Sequence, residues 1–149
     1  MTATPDDAIN RLIVQMKGMY TDTVIDHAIN TRNFGQMPDY DGMGKATSSC
    51  GETIQTWLKV KDGVVTKASF ETDGCAATLA CGSMATELAK GKNILDAQKI
   101  KQKDILEALE GLPDHNQELA LVASKAIKNA VVDYLAIKRE PWKKTYRKM

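Results

Sequence analysis

Apolar residues recur at two spacings along this chain, and the change from one to the other divides it. Between Thr53 and Thr72 they alternate with polar residues: Ile54, Leu58 and Val60 on an outgoing run, then Val64, Ala68 and Phe70 on the return. Alternation predicts two strands with one buried face. Lys61-Asp62-Gly63 predicts a three-residue hairpin loop with its glycine in the left-handed region. Pairing Val60 with Val64 then sets Ile54 opposite Phe70 and, continued outward, Cys50 opposite Gly74. A short preceding strand is expected near Ala46–Ser49.

Elsewhere the spacing is helical. Pro5-Asp6-Asp7 opens an amphipathic helix carrying Ile9, Leu12, Ile13, Met16 and Met19, and Thr21 or Asp22 caps a second through Val24, Ile25, Ala28 and Ile29. Asn33 to Lys45 holds three glycines and Pro38 and reads as a surface loop. Ala76 to Lys90 is an Ala-, Leu- and Met-rich helix stopped by Gly91. Ile94–Lys99 and Lys103–Leu109 read as short helices. After Leu112-Pro113-Asp114, a stripe of Leu119, Val122, Ala123, Ala126, Ile127, Ala130, Val131 and Tyr134 predicts a last helix from about His115 to Ile137. The expected fold is α+β: a small antiparallel three-stranded sheet with helices packed mainly on one face, as a single domain over residues 1–149.

Composition narrows the function classes. The 149 residues are 43% hydrophobic and 26% charged with a net charge of +1, ordinary values that give no general electrostatic case for nucleic acid or membrane. The last dozen residues are the exception, with Lys138, Arg139, Lys143, Lys144, Arg147 and Lys148 around Trp142 and Tyr146. This basic tail (138–149) is expected to be a solvated, flexible terminus. The acidic, polar N-terminus lacks a signal-peptide pattern, and no run approaches the roughly 18 apolar residues of a membrane span, so a cytoplasmic location is expected. Three cysteines in such a chain argue for thiol or metal chemistry over a disulfide framework.

Two of those cysteines fall at element junctions flanked by glycine. Cys50 precedes Gly51 at the open end of the hairpin, and Cys75 follows Gly74 at the start of a helix, where exposed N–H groups favour a thiolate. Glu52 stands two residues after Cys50, and strand alternation would aim both side chains the same way. Cys50, Glu52 and Cys75 are therefore candidate ligands of a soft metal, and a tetrahedral site asks for a fourth. His115 and Glu118, near the start of the last helix, are the candidates for it. Cys81 lies six residues beyond Cys75, about 9 Å along the helix axis and turned away from it, and is read as a packing residue. His27 is read as a hydrogen-bonded structural residue. No orienting third group or oxyanion loop accompanies any Cys–His pair, so no catalytic residues are assigned and the chain is not read as an enzyme.

These residues resemble the U-type iron–sulfur cluster scaffold family: the IscU and SufU proteins and the N-terminal domain of NifU. The resemblance runs from about Tyr20 to Tyr134. It is carried by Val24-Ile25-Asp26-His27, Arg32-Asn33-Phe34-Gly35, Asp41-Gly42-Met43-Gly44-Lys45, Cys50-Gly51-Glu52, Gly74-Cys75-Ala76, Lys90-Gly91-Lys92 and Leu112-Pro113. The family's first two cysteines fall on Cys50 and Cys75, and its Cys-Gly-Asp carboxylate on Glu52. By resemblance these positions bind a transient 2Fe–2S cluster, or zinc or iron in its place. A cysteine desulfurase supplies sulfur and acceptor apo-proteins receive the cluster. The His-Cys pair that the family places at the start of the last helix reads Glu118-Leu119 here. Pro113-Asp114-His115-Asn116 stands where IscU has its chaperone-binding segment, and the SufU insertion is absent.

Three readings follow. The first is a cluster scaffold or carrier, with a homodimer as one way to supply further thiols. The second is a zinc-binding sulfur acceptor or regulatory paralogue that no longer assembles clusters. The third is an interaction module that keeps the fold without the metal.

Overall fold

The computed structural model describes residues 5–142. Among these residues, six helices accompany one antiparallel sheet: α1 (Pro5–Lys17), α2 (Asp22–Ile29), β1 (Gly42–Thr47), β2 (Thr53–Lys61), β3 (Val64–Thr72), α3 (Ala76–Ala89), α4 (Ile94–Gln98), α5 (Gln102–Ala108) and α6 (Gln117–Arg139). A 3-10 turn, Asp114–Asn116, precedes α6 and takes up the expected first residues of that helix. The strand order is β1-β2-β3. The expected α+β architecture is the observed one. Five residues of the basic tail, Lys143, Lys144, Tyr146, Arg147 and Lys148, lie outside the described residues, as do the side chains of Ile9, Leu12 and Ile13.

The hairpin register differs from the expected one. Asp62 and Gly63 both take positive φ, 54° and 77°, the requirement of a two-residue turn of the twist-matching kind. Lys61 therefore pairs with Val64. A bulge follows: Lys59 faces Lys67 while Val60 faces Val65, so Thr66 is the extra residue. Its hydroxyl donates to the Lys59 carbonyl at 3.1 Å. Beyond the bulge Ile54 faces Thr72 and Thr56 faces Phe70. One more residue in the strand than the simple alternation allows turns Val65 inward in place of Val64, while Ala68 and Phe70 keep their buried face with Ile54 and Leu58.

The stretch expected to be a loop to Lys45 is a strand from Gly42 onward. Its glycines mark a close approach instead of a turn: a Cβ at Gly42 would meet the Ala130 carbonyl and Tyr134, and one at Gly44 the Ala126 carbonyl and Ala130 nitrogen. Helix α6 thus lies directly on the β1 backbone, and Thr56 on β2 donates to the Ala126 carbonyl at 2.9 Å. Only residues 33–41 remain irregular, and they are pinned. Asn33 and Gly35 bond the Phe70 backbone, and Phe34 stacks edge-on against Phe70 at 5.5 Å. From that edge of β3 the chain runs to β1 at the opposite edge, across the sheet face that carries the buried Trp57.

Helix α3 packs on the other face through small residues. Ala77, Ala80, Cys81 and Ala85 are fully buried, and a Cβ on Gly82 would fall on the Phe70 ring. The α6 stripe from Leu119 to Val131 completes the core.

Candidate metal centre

Both candidate thiols lie at the end of the sheet where β2 begins and β3 ends. The β1–β2 ladder stops at Thr47 and Thr53, and the turn between them carries Cys50. Ser48 N–H donates to the Glu52 carbonyl at 2.7 Å and Gly51 N–H to the Ser48 carbonyl at 3.0 Å. Gly51 adopts φ 89°, a left-handed conformation that suits glycine. The positive φ breaks the alternation expected of Cys50 and Glu52, because both residues belong to the turn and β2 starts only at Thr53. Likewise the expected pairing of Cys50 with Gly74 does not form, since the β2–β3 ladder ends at Ile54 and Thr72.

Cys75 is the N-cap residue of α3, with extended backbone and no side-chain cap. Both Cys50 and Cys75 are exposed. One turn into α3, the fully buried Thr78 donates its hydroxyl to Glu52 Oε2 at 2.7 Å and lies 3.5 Å from Cys75 Sγ. A hydroxyl has one proton to donate, and here it goes to the carboxylate. Gly74 makes room for this arrangement, because a Cβ there would collide with the Thr78 side chain. Thr78 therefore ties the acid of the β1–β2 turn to the cysteine of the helix start.

A second tie fixes the Cys50 turn. Glu118, in the first turn of α6, accepts from Ser49 N–H and from Ser49 Oγ, both at 2.6 Å. The Ser49 hydroxyl and then its backbone N–H hold the Glu118 carboxyl below its ordinary range, with help from the Lys125 charge. Both of its oxygens are thus engaged on the residue beside Cys50. His115 is exposed in the 3-10 turn, with no hydrogen bond to either thiol or to Glu52. Among the described residues, no three His, Cys, Asp or Glu side chains converge closely enough to hold a metal ion. The predicted set falls into two groups: Cys75 and Glu52 meet through Thr78, and Glu118 is hydrogen-bonded to Ser49, the chain neighbour of Cys50.

Cys81 is fully buried in the core. Burial pushes its thiol far above the ordinary range, and the nearby charges of Cys75 and Glu52 add to the shift. His27 is buried with Nδ1 2.7 Å from Ser83 Oγ on α3. Desolvation first, and the Arg32 charge second, lower its pKa. It joins α2 to α3 as a structural residue, beside an Asp26–Arg32 ion pair of 2.7 Å.

Residues 19–141 match the family model described as the NifU-like N terminal domain. The chain belongs to this family. Its relatives include the "Iron-sulfur cluster assembly scaffold protein IscU 1" of Archaeoglobus fulgidus, 44% identical over 117 residues that span 78% of this chain and 76% of the relative. The IscU scaffold protein of Escherichia coli strain K12 is 40% identical over 126 residues, covering 81% of this chain and 97% of that one. Among solved structures, the N-terminal NifU-like protein of Brucella abortus aligns with a TM-score of 0.63 at 21% identity, over 81% of this chain and 97% of its own. A putative SUF-system scaffold from Fervidobacterium islandicum aligns with the same score at 16% identity, over 75% and 96%. At those identities the two structures establish the fold, and they agree with the sheet and helices described above. Leu119, where the resemblance expects the family's third cysteine, is 6% exposed and part of the core.

Sequence reasoning missed Thr78 and Ser49 as site residues. Each carried a signal: Thr78 lies three residues after Cys75, one helical turn on, and Ser49 is adjacent to Cys50.

Proposed function

We propose that this protein is an iron–sulfur cluster assembly scaffold that carries a labile 2Fe–2S cluster, or its iron or zinc precursor, on Cys50 and Cys75 with Glu52. A cysteine desulfurase would supply the sulfur, and acceptor apo-proteins would take the cluster. The reading rests on one observation above all: two exposed thiols flank the same end of the sheet, with a carboxylate hydrogen-bonded beside one of them. The names of the relatives support it. Thiolates are soft donors suited to iron in a cluster, whereas a carboxylate is a hard donor that exchanges more readily. Thr78 occupies Oε2 of Glu52 and leaves Oε1 for a metal. A core leucine in place of a third thiol makes the cargo less firmly held, which suits delivery over storage. His115 and Glu118 are secondary in this reading, and engagement of Glu118 on Ser49 makes it a support of the Cys50 turn.

Anaerobic reconstitution with iron and sulfide, followed by visible absorption and Mössbauer spectroscopy, tests the proposal. A sulfide-containing chromophore is expected in the native chain and in Cys81→Ala, and is expected to vanish in Cys50→Ala and Cys75→Ala. Failure to form a cluster, or an undiminished one in Cys75→Ala, ends the proposal. One zinc per chain without acid-labile sulfide would instead support the zinc-binding sulfur acceptor.

A further inference from the structure

We infer that a lysine-walled groove between the α4–α5 connection and α6 docks an acidic segment of a partner protein. Lys99, Lys101 and Lys103 form one wall and Lys125 and Lys128 the other, around a volume of about 510 Å³. All five are exposed, and among the described residues none makes an ion pair. The chain as a whole carries only +1, so this concentration of positive charge is local and is balanced elsewhere on the molecule. Asp104, the acid closest in sequence to the first wall, has its Oδ2 on the Lys101 backbone N–H at 2.9 Å, where it serves the start of α5.

The floor decides the kind of partner. Ile100 and Leu121 line it, so an apolar side chain can be seated between carboxylates that meet the lysine walls. Such a pattern fits an amphipathic acidic peptide. Nucleic-acid grooves draw on arginine forks and on aromatic platforms for stacking, and neither residue type lines this one. The groove is also fixed in place: Gln102 Nε2 donates to the Gln117 carbonyl at 2.8 Å, tying the start of α5 to the start of α6.

Its location relates it to the thiols. Leu121 and Lys125 follow Glu118 by three and seven residues, on the same face of α6 and within about 10 Å along the axis. Glu118 holds the turn that carries Cys50. A partner seated in the groove would therefore lie beside the candidate cluster site. Identifying that partner as a sulfur donor or cluster acceptor rests on the proposed function, whereas the binding itself does not.

The test uses the full chain and a short fluorescent peptide of glutamates interrupted by two leucines, with a glutamine-for-glutamate copy, a single-stranded oligonucleotide and inorganic phosphate as comparisons. Fluorescence anisotropy should show binding of the acidic peptide alone, weakening steeply with added salt. The triple variant Lys99→Glu, Lys101→Glu and Lys128→Glu should weaken it at least roughly tenfold, the scale of two or more lost charge contacts. Charge reversal at Lys67, which lines a separate pocket beside Phe34, should leave it unchanged. Amide chemical-shift changes should centre on Ile100 and Leu121, which locates the peptide independently of any variant. No binding, equal loss in the Lys67 variant, or tighter binding of the oligonucleotide or phosphate overturns the inference. Cluster loading is measured in parallel on the triple variant and should be retained, so loss of the groove and loss of the scaffold role are read separately.

Discussion

The thiol-bearing end of the sheet and the interface beneath α3 and α6 are held together by different means. Inside, the approach is close enough to exclude even a Cβ: α6 rests on Gly42 and Gly44, and α3 meets the Phe70 ring at Gly82. At the sheet end, single polar contacts do the holding: Ser49 to Glu118, Thr78 to Glu52, and Ser48 across its own turn. The fates of the cysteines follow the same division, with Cys81 sealed among alanines and Cys50 and Cys75 open to solvent. On the proposed function, ligand exchange at the rim would proceed without disturbing the packing below.

Attacking the interior should have the largest effect. Gly44→Val drives two methyls into the backbone of α6, and overpacking of that kind costs about 3 kcal/mol or more. Urea denaturation is expected to show the loss directly. A variant of native stability would mean that α6 is free to lift off β1.

A change at the rim should separate chemistry from stability. Thr78→Val keeps the shape of a buried side chain and removes the proton given to Glu52, at an expected cost of about 1 kcal/mol. Cluster loss to a chelator, followed by visible absorbance, should run several-fold faster in Thr78→Val and at the native rate in Thr78→Ser. Equal lifetimes in all three proteins would detach Thr78 from the site.

The smallest effect concerns His27, which joins α2 to α3 through Ser83. Its folded pKa lies below the ordinary 6.5, chiefly through desolvation. The unfolded chain therefore binds the proton first as pH falls. Stability from this group is complete above about pH 6.5 and declines as pH drops from there toward the lowered folded value. Thermal melts should show that decline in the native chain and a flatter profile in His27→Gln. Parallel profiles would assign the pH dependence elsewhere.

Much of this division was legible before any coordinates. The 3.6-residue stripe on the last helix named its buried face from Leu119 to Val131, and the run of small residues around Cys81 marked a tightly packed helix. The register was not legible, because it turns on whether Lys61 belongs to the loop or to the strand and on one bulged residue, Thr66. Hydrophobic alternation tolerates either choice. The third strand was expected near Ala46–Ser49 and runs instead over Gly42–Thr47; its start was misplaced because glycine has two uses, to bend the chain or to admit a neighbour, and the sequence shows the residue without the neighbour. Thr78 and Ser49 escaped for a related reason: hydroxyl side chains are common, and only the fold reveals which carboxylate each one meets.

The single bridge between Phe34 and Phe70 has a consequence for how the protein behaves at high concentration. An exposed outer strand is a template on which another chain can add its own. Here a short length of the same polypeptide already occupies the middle of that border, and the Thr66 bulge distorts the part nearest the hairpin. Edge-to-edge growth into fibrils is thereby blocked along β3 by the chain itself.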